Sequence, residues 1–475
     1  MVLDYQDTVN PQEIYDVVIV GAGPIGLATA IGLYQRGIGN ILVIDQTRAF
    51  REIGRGLDLL SNGLKALKCL DINAYTAVTR STLFNQQNST QTPPPWSVKN
   101  LQGQLIRSVS LSFDDWVQKY GEGRVSIAWY ELQTILRNIL PPELVKANHR
   151  CINVIDEPEF NCVRIDCVSD TSIAANPYAN WEENQNSDEN SQPNLDNICP
   201  TLATTSFRAK LIIGADGINS IVRQTIYQNT PNAAFAKPEY SGFAAISCRG
   251  ITDIPEEIQT EIEARFLHDS AVVTINNDQT SANPDCHNQV RMILFCRNGQ
   301  FAYILHLPVP LESLQGKAET DLLKLAQQEI EKTGFPDSLQ QLVNLSPPEN
   351  IEQRPYYIHP VINKSHDITI QPTWYKQRVV LIGDAAHGMP PFMAQGANQG
   401  LEDALTITNL IAKIAKNNDW NNLQVITEAF ANYEHLRRPF MEYIQSATLT
   451  GFPNSSPQQW QDYNQKVYTR NFAAS

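Results

Sequence analysis

Three short runs carry residue types suited to holding a dinucleotide: Val20-Gly21-Ala22-Gly23-Pro24-Ile25-Gly26, Gly214-Ala215-Asp216-Gly217 and Gly383-Asp384-Ala385-Ala386-His387. In the first, Gly21 permits a tight strand-to-helix turn, Gly23 lets the backbone approach a pyrophosphate, and Gly26 lets the next helix pack closely on a sheet. Pro24 and Ile25 open that helix, whose first N–H groups would face the phosphates. Asp45 ends the following apolar run, where a carboxylate can bond ribose hydroxyls. Asp384 is placed to accept from a ribityl hydroxyl. The small residues Gly396 and Ala397, with Asn398, would let the backbone touch a flat ring before the N-terminus of a long helix. His387 is read as structural, because no partner acid stands near it in the chain.

The elements that must position these residues follow from periodicity. Each run stands behind an apolar strand, and Ile41–Ile44 completes a βαβ unit around the first, the context that lifts a glycine motif above chance. Helical patterns are predicted for Ser61–Leu70, Tyr130–Leu140, Gln399–Ala415 and Tyr433–Thr450. Between Ser241 and Pro310 the pattern changes to short alternating segments divided by turns, which predicts an antiparallel sheet. The expected organisation is a discontinuous dinucleotide-binding domain (1–80, 105–235 and 365–432), a substrate domain (81–104 and 236–364) and a helical tail (433–475). Residues 169–206, polar and Asn-rich, are expected to form a mobile surface insertion.

Bulk properties exclude several classes. The chain has 475 residues and a net charge of −14, which disfavours nucleic acid and anionic membrane as partners. Apolar runs near the N-terminus are broken by glycines, so neither a signal peptide nor an integral membrane segment is expected. The eight cysteines include no Cys-x-x-Cys pair and no neighbouring His cluster, which points to reduced thiols in a cytoplasmic protein without a metal site.

The three runs, in this order, resemble the FAD-dependent aromatic hydroxylases, the single-component flavoprotein monooxygenases, over roughly residues 14–445. Phe50-Arg51-Glu52-Ile53-Gly54, Ser126–Gln133 and Tyr433–Pro439 are similar to further segments of the family, the second to phenazine-type and salicylate-type hydroxylases. The resemblance implies an α/β FAD-binding domain with a Rossmann-like parallel sheet, joined to an α+β substrate domain with an antiparallel sheet. It implies FAD contacts at Arg51 and Gln133, and a dual role for Asp216 near FAD and the nicotinamide. It departs at Trp129, which fills a slot where the family carries a cofactor-contacting Arg; Arg51 or Arg55 could supply that charge. The implied chemistry is reduction by NADPH or NADH, reaction with oxygen to a flavin hydroperoxide, and hydroxylation of a small planar substrate. Pro391 and Phe392, beside the flavin loop, are the candidate catalytic-pocket residues, with Phe243, Phe295, Tyr303, His306, Tyr356 and Tyr357 as further pocket candidates. Two alternatives stay open: an epoxidase or reductase of an isoprenoid or polyene, and a catalytically idle flavin-binding sensor. Oligomeric state has no signal in the chain.

Overall fold

A computed structural model describes residues 14–47, 56–81, 93–170, 202–277, 290–362, 371–449 and 456–472. Its first sheet has the order Tyr375–Lys376, Val379–Leu381, Leu202–Gly214, Ile14–Val20, Ile41–Ile44, Val145–Lys146, with Cys162–Asp170 and Arg150–Glu157 extending from the Leu202–Gly214 strand. The strands from Val379–Leu381 to Val145–Lys146 pair in parallel. They are near-continuous apolar runs because helices cover both faces, and Val17, Ile19, Ile213 and Leu381 are fully buried. Register does the decisive work. Val20 pairs with Gly214, and Gly214 pairs with Leu381. Three glycine-containing runs far apart in the chain therefore leave the carboxyl ends of three adjacent parallel strands, where open α/β sheets bind their ligands.

The Pro24–Gln35 helix packs on the Gly396–Asn417 helix, which also packs on Ser61–Leu70. The last long helix is Leu423–Leu449, not Tyr433–Thr450: it starts a decade of residues earlier and runs through Pro439. Ile426, Phe430 and Tyr433 form a fully buried stripe at helical spacing, and this packing outweighs the weak propensity of the Val425-Ile426-Thr427 stretch.

The second sheet has the order Ile351–Ile358, Glu239–Ile251, Gln300–Pro308, Arg291–Arg297, Val272–Asn276, Trp96–Asn100, Leu105–Val109. All neighbours are antiparallel except Val272–Asn276 with Trp96–Asn100. Leu105–Val109 thus belongs to this sheet, so the expected boundary at 105 falls inside a hairpin and moves beyond Val109. One face (Ala244, Ile246, Met292, Leu294, Leu305) forms a second core with the Glu319–Lys332 and Asp337–Asn344 helices. The alternate side chains point the opposite way, where Phe243, Ala245 and Tyr356 cluster with Phe392.

The proposed 169–206 insertion lies mostly outside the described residues. Asp170 and Leu202, which flank 171–201, pair directly, so ladder structure extends further into that stretch than its composition suggests. Among the described residues no helix is long and apolar enough to cross a membrane. No His, Cys, Asp or Glu group among them could hold a metal. Cys151, Cys162, Cys167 and Cys248 are buried free thiols, while Cys69 is exposed.

Candidate active site

The glycines of the first run separate by cause. Gly21 has φ +107°, and an added Cβ would stand 2.4 Å from the Ala215 carbonyl oxygen, so the first run can press onto the second only as glycine. Gly23 has φ −68° and ψ 170°, a backbone open to any residue. A Cβ there would meet only Trp129 Cζ2, at 3.9 Å. Among the described residues neither backbone nor packing requires glycine at 23. The open space there is the size of gap that close approach by a ligand phosphate needs.

Ala22, between them, is fixed from both sides. Its N–H donates to Asp45 Oδ2 at 2.6 Å, and its carbonyl accepts from Gln133 Nε2 at 2.6 Å. Asp45 Oδ1 also accepts from the Thr47 N–H at 2.7 Å. Gln133 is buried and shapes the loop from behind, on the Trp129–Ile139 helix. Arg51 and Arg55 lie outside the described residues, so Trp129 is the side chain seen beside Gly23.

Asp216 turns to its own helix. It accepts from the Ser220 hydroxyl at 2.5 Å and from the Ile221 and Val222 N–H groups at 2.7 and 3.1 Å, capping Ile221–Tyr227. That helix carries buried Arg223, whose NH1 donates to the Ala385 and Ala386 carbonyls at 2.9 and 3.0 Å. The second run therefore braces the third. His359 completes the brace by donating Nε2–H to the Ile218 carbonyl at 2.8 Å. Burial, with Arg223 nearby, pushes its imidazole down to about 3.

Asp384 is exposed to solvent. Burial raises its pKa, opposed by His387 and by Arg354 across the gap. A Cβ on Gly396 would lie 3.7 Å from Asp384 Oδ1, so the carboxylate stands over the start of the Gly396–Asn417 helix, with Ala397 half-buried beside it. Gly383, at φ +58°, donates its N–H to Asp403 Oδ2 at 2.9 Å.

Asp403 is the partner acid for His387 that spacing did not suggest: His387 Nε2 donates to Asp403 Oδ2 at 2.6 Å, with both side chains buried. Arg437 Nε donates to Asp403 Oδ1 at 2.7 Å, and its NH1 donates to Glu402 Oε2 at 2.5 Å. Burial alone would raise the Asp403 pKa, but His387 and Arg437 outweigh it and hold it at about 2. Asn398 is committed inside the fold. Its Oδ1 accepts from Leu60 N–H at 2.8 Å, and its Nδ2 donates to the Asp58 and Ala394 carbonyls at 2.9 and 2.6 Å.

Pro391 is exposed and Phe392 half-buried, at the junction with the second sheet. Phe243, His306 and Tyr356 meet the Phe392 ring at centroid distances of 5.3, 5.3 and 5.7 Å, each near perpendicular. Arg291 lies over that ring at 5.4 Å. Register explains the group: Ala245 pairs with His306, and His306 with Arg291, so these positions share the face turned to the cofactor helices. Tyr303 is on the other face, bonded to Ser346 at 3.0 Å, and Tyr357 packs there on Tyr240. Neither belongs to the pocket. Phe295 shares the pocket face but sits four pairs beyond Arg291 along its strand.

The FAD binding domain family matches residues 14–81 and 361–446, which hold the first and third runs. The chain is similar to an FAD-dependent monooxygenase of Gibberella moniliformis, 22% identical over 90% of this chain and 83% of the relative. It is also similar to 6-hydroxynicotinate 3-monooxygenase of Bordetella bronchiseptica, 24% identical over 89% and 87%. Among solved structures it shares its fold with Klebsiella pneumoniae HpxO complexed with FAD and uric acid, with a TM-score of 0.59, 16% identity and coverage of 96% and 93%. The chain thus carries an FAD binding domain match and is similar, over most of its length, to FAD-dependent monooxygenases that include aromatic-ring hydroxylases.

Proposed function

We propose that this monooxygenase uses NADH or NADPH and molecular oxygen to hydroxylate a small, planar, aromatic substrate. The observation that carries the reading is the closure of Phe243, His306 and Tyr356 on Phe392, at the seam between the helix that starts at Gly396 and the antiparallel sheet. A ring held there would lie between apolar walls, and a similar enzyme named for 6-hydroxynicotinate acts on such a ring. Bound FAD supplies hydride acceptance and oxygen activation.

The chain's own residues do the rest. Gly23 admits the pyrophosphate, and Asp384 takes a ribityl hydroxyl. The N-terminus of the Gly396–Asn417 helix favours negative charge developing at the ring. Phe243 and Phe392 exclude water. The Tyr356 hydroxyl and His306 Nδ1, 3.3 Å apart, offer the polar pair that can hold a substrate hydroxyl and its proton. On this reading the FAD domain comprises the first sheet and its helices, and the second sheet is the substrate domain.

The test is an absorbance spectrum of the purified protein, then NADH and NADPH oxidation under air with phenols, phenazines and polyenes. Flavin absorbance with oxidation stimulated by an aromatic compound is expected. Bound flavin that no nicotinamide reduces would sink the hydroxylase reading, and stimulation by polyenes alone would replace the substrate class.

A further inference from the structure

The family match ends at residue 446, and the chain beyond it has no part in the site described so far. Its helix, Pro457–Tyr468, opens on a capping box between Ser456 and Gln459. The far end is anchored firmly. The Tyr468 ring packs on Trp116 and Tyr120 at 5.0 and 5.2 Å, and its carbonyl accepts from Ser61 Oγ at 3.1 Å and Lys65 Nζ at 2.8 Å. Two residues on, the Arg470 guanidinium lies 3.8 Å from the Phe440 ring centroid and places NH1 2.8 Å from Glu402 Oε2.

That contact matters because of where Glu402 sits. Glu402 and Asp403 are adjacent acids, 1% and 0% exposed, on the helix that begins at Gly396. Arg437 bridges both and His387 also meets Asp403, so within these elements Glu402 has only a shared guanidinium. Asn62 adds a neutral hydrogen bond to Glu402 Oε1 at 2.8 Å. Arg470 is the second guanidinium, and it arrives only with the C-terminal strap.

We propose that Arg470 is a positioning residue for the FAD site: by pairing with Glu402 it balances the buried acid pair and leaves the positive end of the Gly396–Asn417 helix unopposed at the cofactor. An unbalanced carboxylate two turns into that helix would work against its dipole and against the electron-rich reduced ring. The proposal rests on the FAD reading of the site.

The test compares wild type, Arg470→Gln, Arg470→Lys and Glu402→Gln. It measures FAD affinity by fluorescence titration of the apoprotein, the midpoint potential of the bound flavin, and the melting temperature of the apoprotein. In R470Q, FAD affinity is expected to fall about tenfold, the size of one partly screened charge at this range, with a lower midpoint potential. R470K should restore most of both, and E402Q should raise the potential. A merely structural contact would lower the melting temperature and leave the potential unmoved. A folded R470Q with wild-type affinity and potential overturns the proposal, as does an unmoved potential in E402Q should R470Q fail to fold. Wild-type protein that takes up no FAD would instead overturn the reading of the site itself.

Discussion

At the scale of single residues, the two glycines of the first run have different reasons to exist, and substitution separates them. Gly23→Val is expected to abolish flavin retention while leaving the apoprotein folded, since its backbone suits any residue and Trp129 is the only neighbour within reach among the described residues. Gly21→Val is expected to unfold or strongly destabilise the chain, because its Cβ would enter the Ala215 backbone at a positive φ. Circular dichroism beside the flavin spectrum distinguishes them, and a yellow, folded Gly23→Val protein would refute the pyrophosphate cradle. Asp384→Ala should weaken FAD by about 10- to 100-fold, the worth of a hydrogen bond to a charged group; full flavin occupancy in that variant would remove its assigned role. Phe392→Ala should leave flavin bound but raise the KM for the aromatic substrate or uncouple nicotinamide oxidation from hydroxylation, since the ring sits on three pocket side chains.

At the scale of elements, the Gly396–Asn417 and Leu423–Leu449 helices are joined by a charged cluster, not only by apolar packing. Arg437 meets Asp403, Glu402 and Gln399 with no exposure to solvent worth the name. Arg437→Leu leaves two buried acids short of a partner and should cost about 3–5 kcal/mol, read as a fall in urea midpoint. The loss should also loosen Gly383 and His387, because Asp403 holds both. Unchanged stability would mean that the partners already in place, His387 on Asp403 and Arg470 and Asn62 on Glu402, suffice.

At the scale of the whole molecule, two buried groups give the fold an acid limit. The His359 imidazole, pushed down to about 3 from 6.5 by burial and Arg223, stays neutral in the folded state while the unfolded chain takes up a proton below 6.5. The unfolded state binds more protons there, so stability falls as pH drops from 6.5 toward 3. Asp403, held at about 2 against 3.8, adds a second loss once pH falls below 3.8. The urea midpoint should decline gently between pH 6.5 and 4 and steeply below. In His359→Gln the first decline should flatten and the second remain; a first decline that persists would assign it to other groups.

Much of this architecture is legible in the residues, for physical reasons that act locally. Glycine tolerance of close approach, apolar runs bounded by turns and the change from helical to alternating periods are short-range signals, and they sufficed for both sheets, the three runs and the Ser61–Leu70 helix. What lay beyond them depends on long-range register and packing. Asp216 and Asn398 carry polar side chains in cofactor motifs, yet their bonds go to the protein, because the turn around each leaves N–H groups or carbonyls that only they reach. Alternation puts Tyr303 and His306 on opposite faces, but only the covering helices settle which face meets the cofactor. The pairing of His387 and Arg437 with Asp403 spans three helical elements, and Arg470 reaches Glu402 from the far end of the chain. The sequence alone determined the class of chemistry, since a dinucleotide cradle needs particular residues at particular spacings; the tertiary structure decided which side chains face the substrate and which charges stand behind the cofactor, since those follow from which surfaces are buried together.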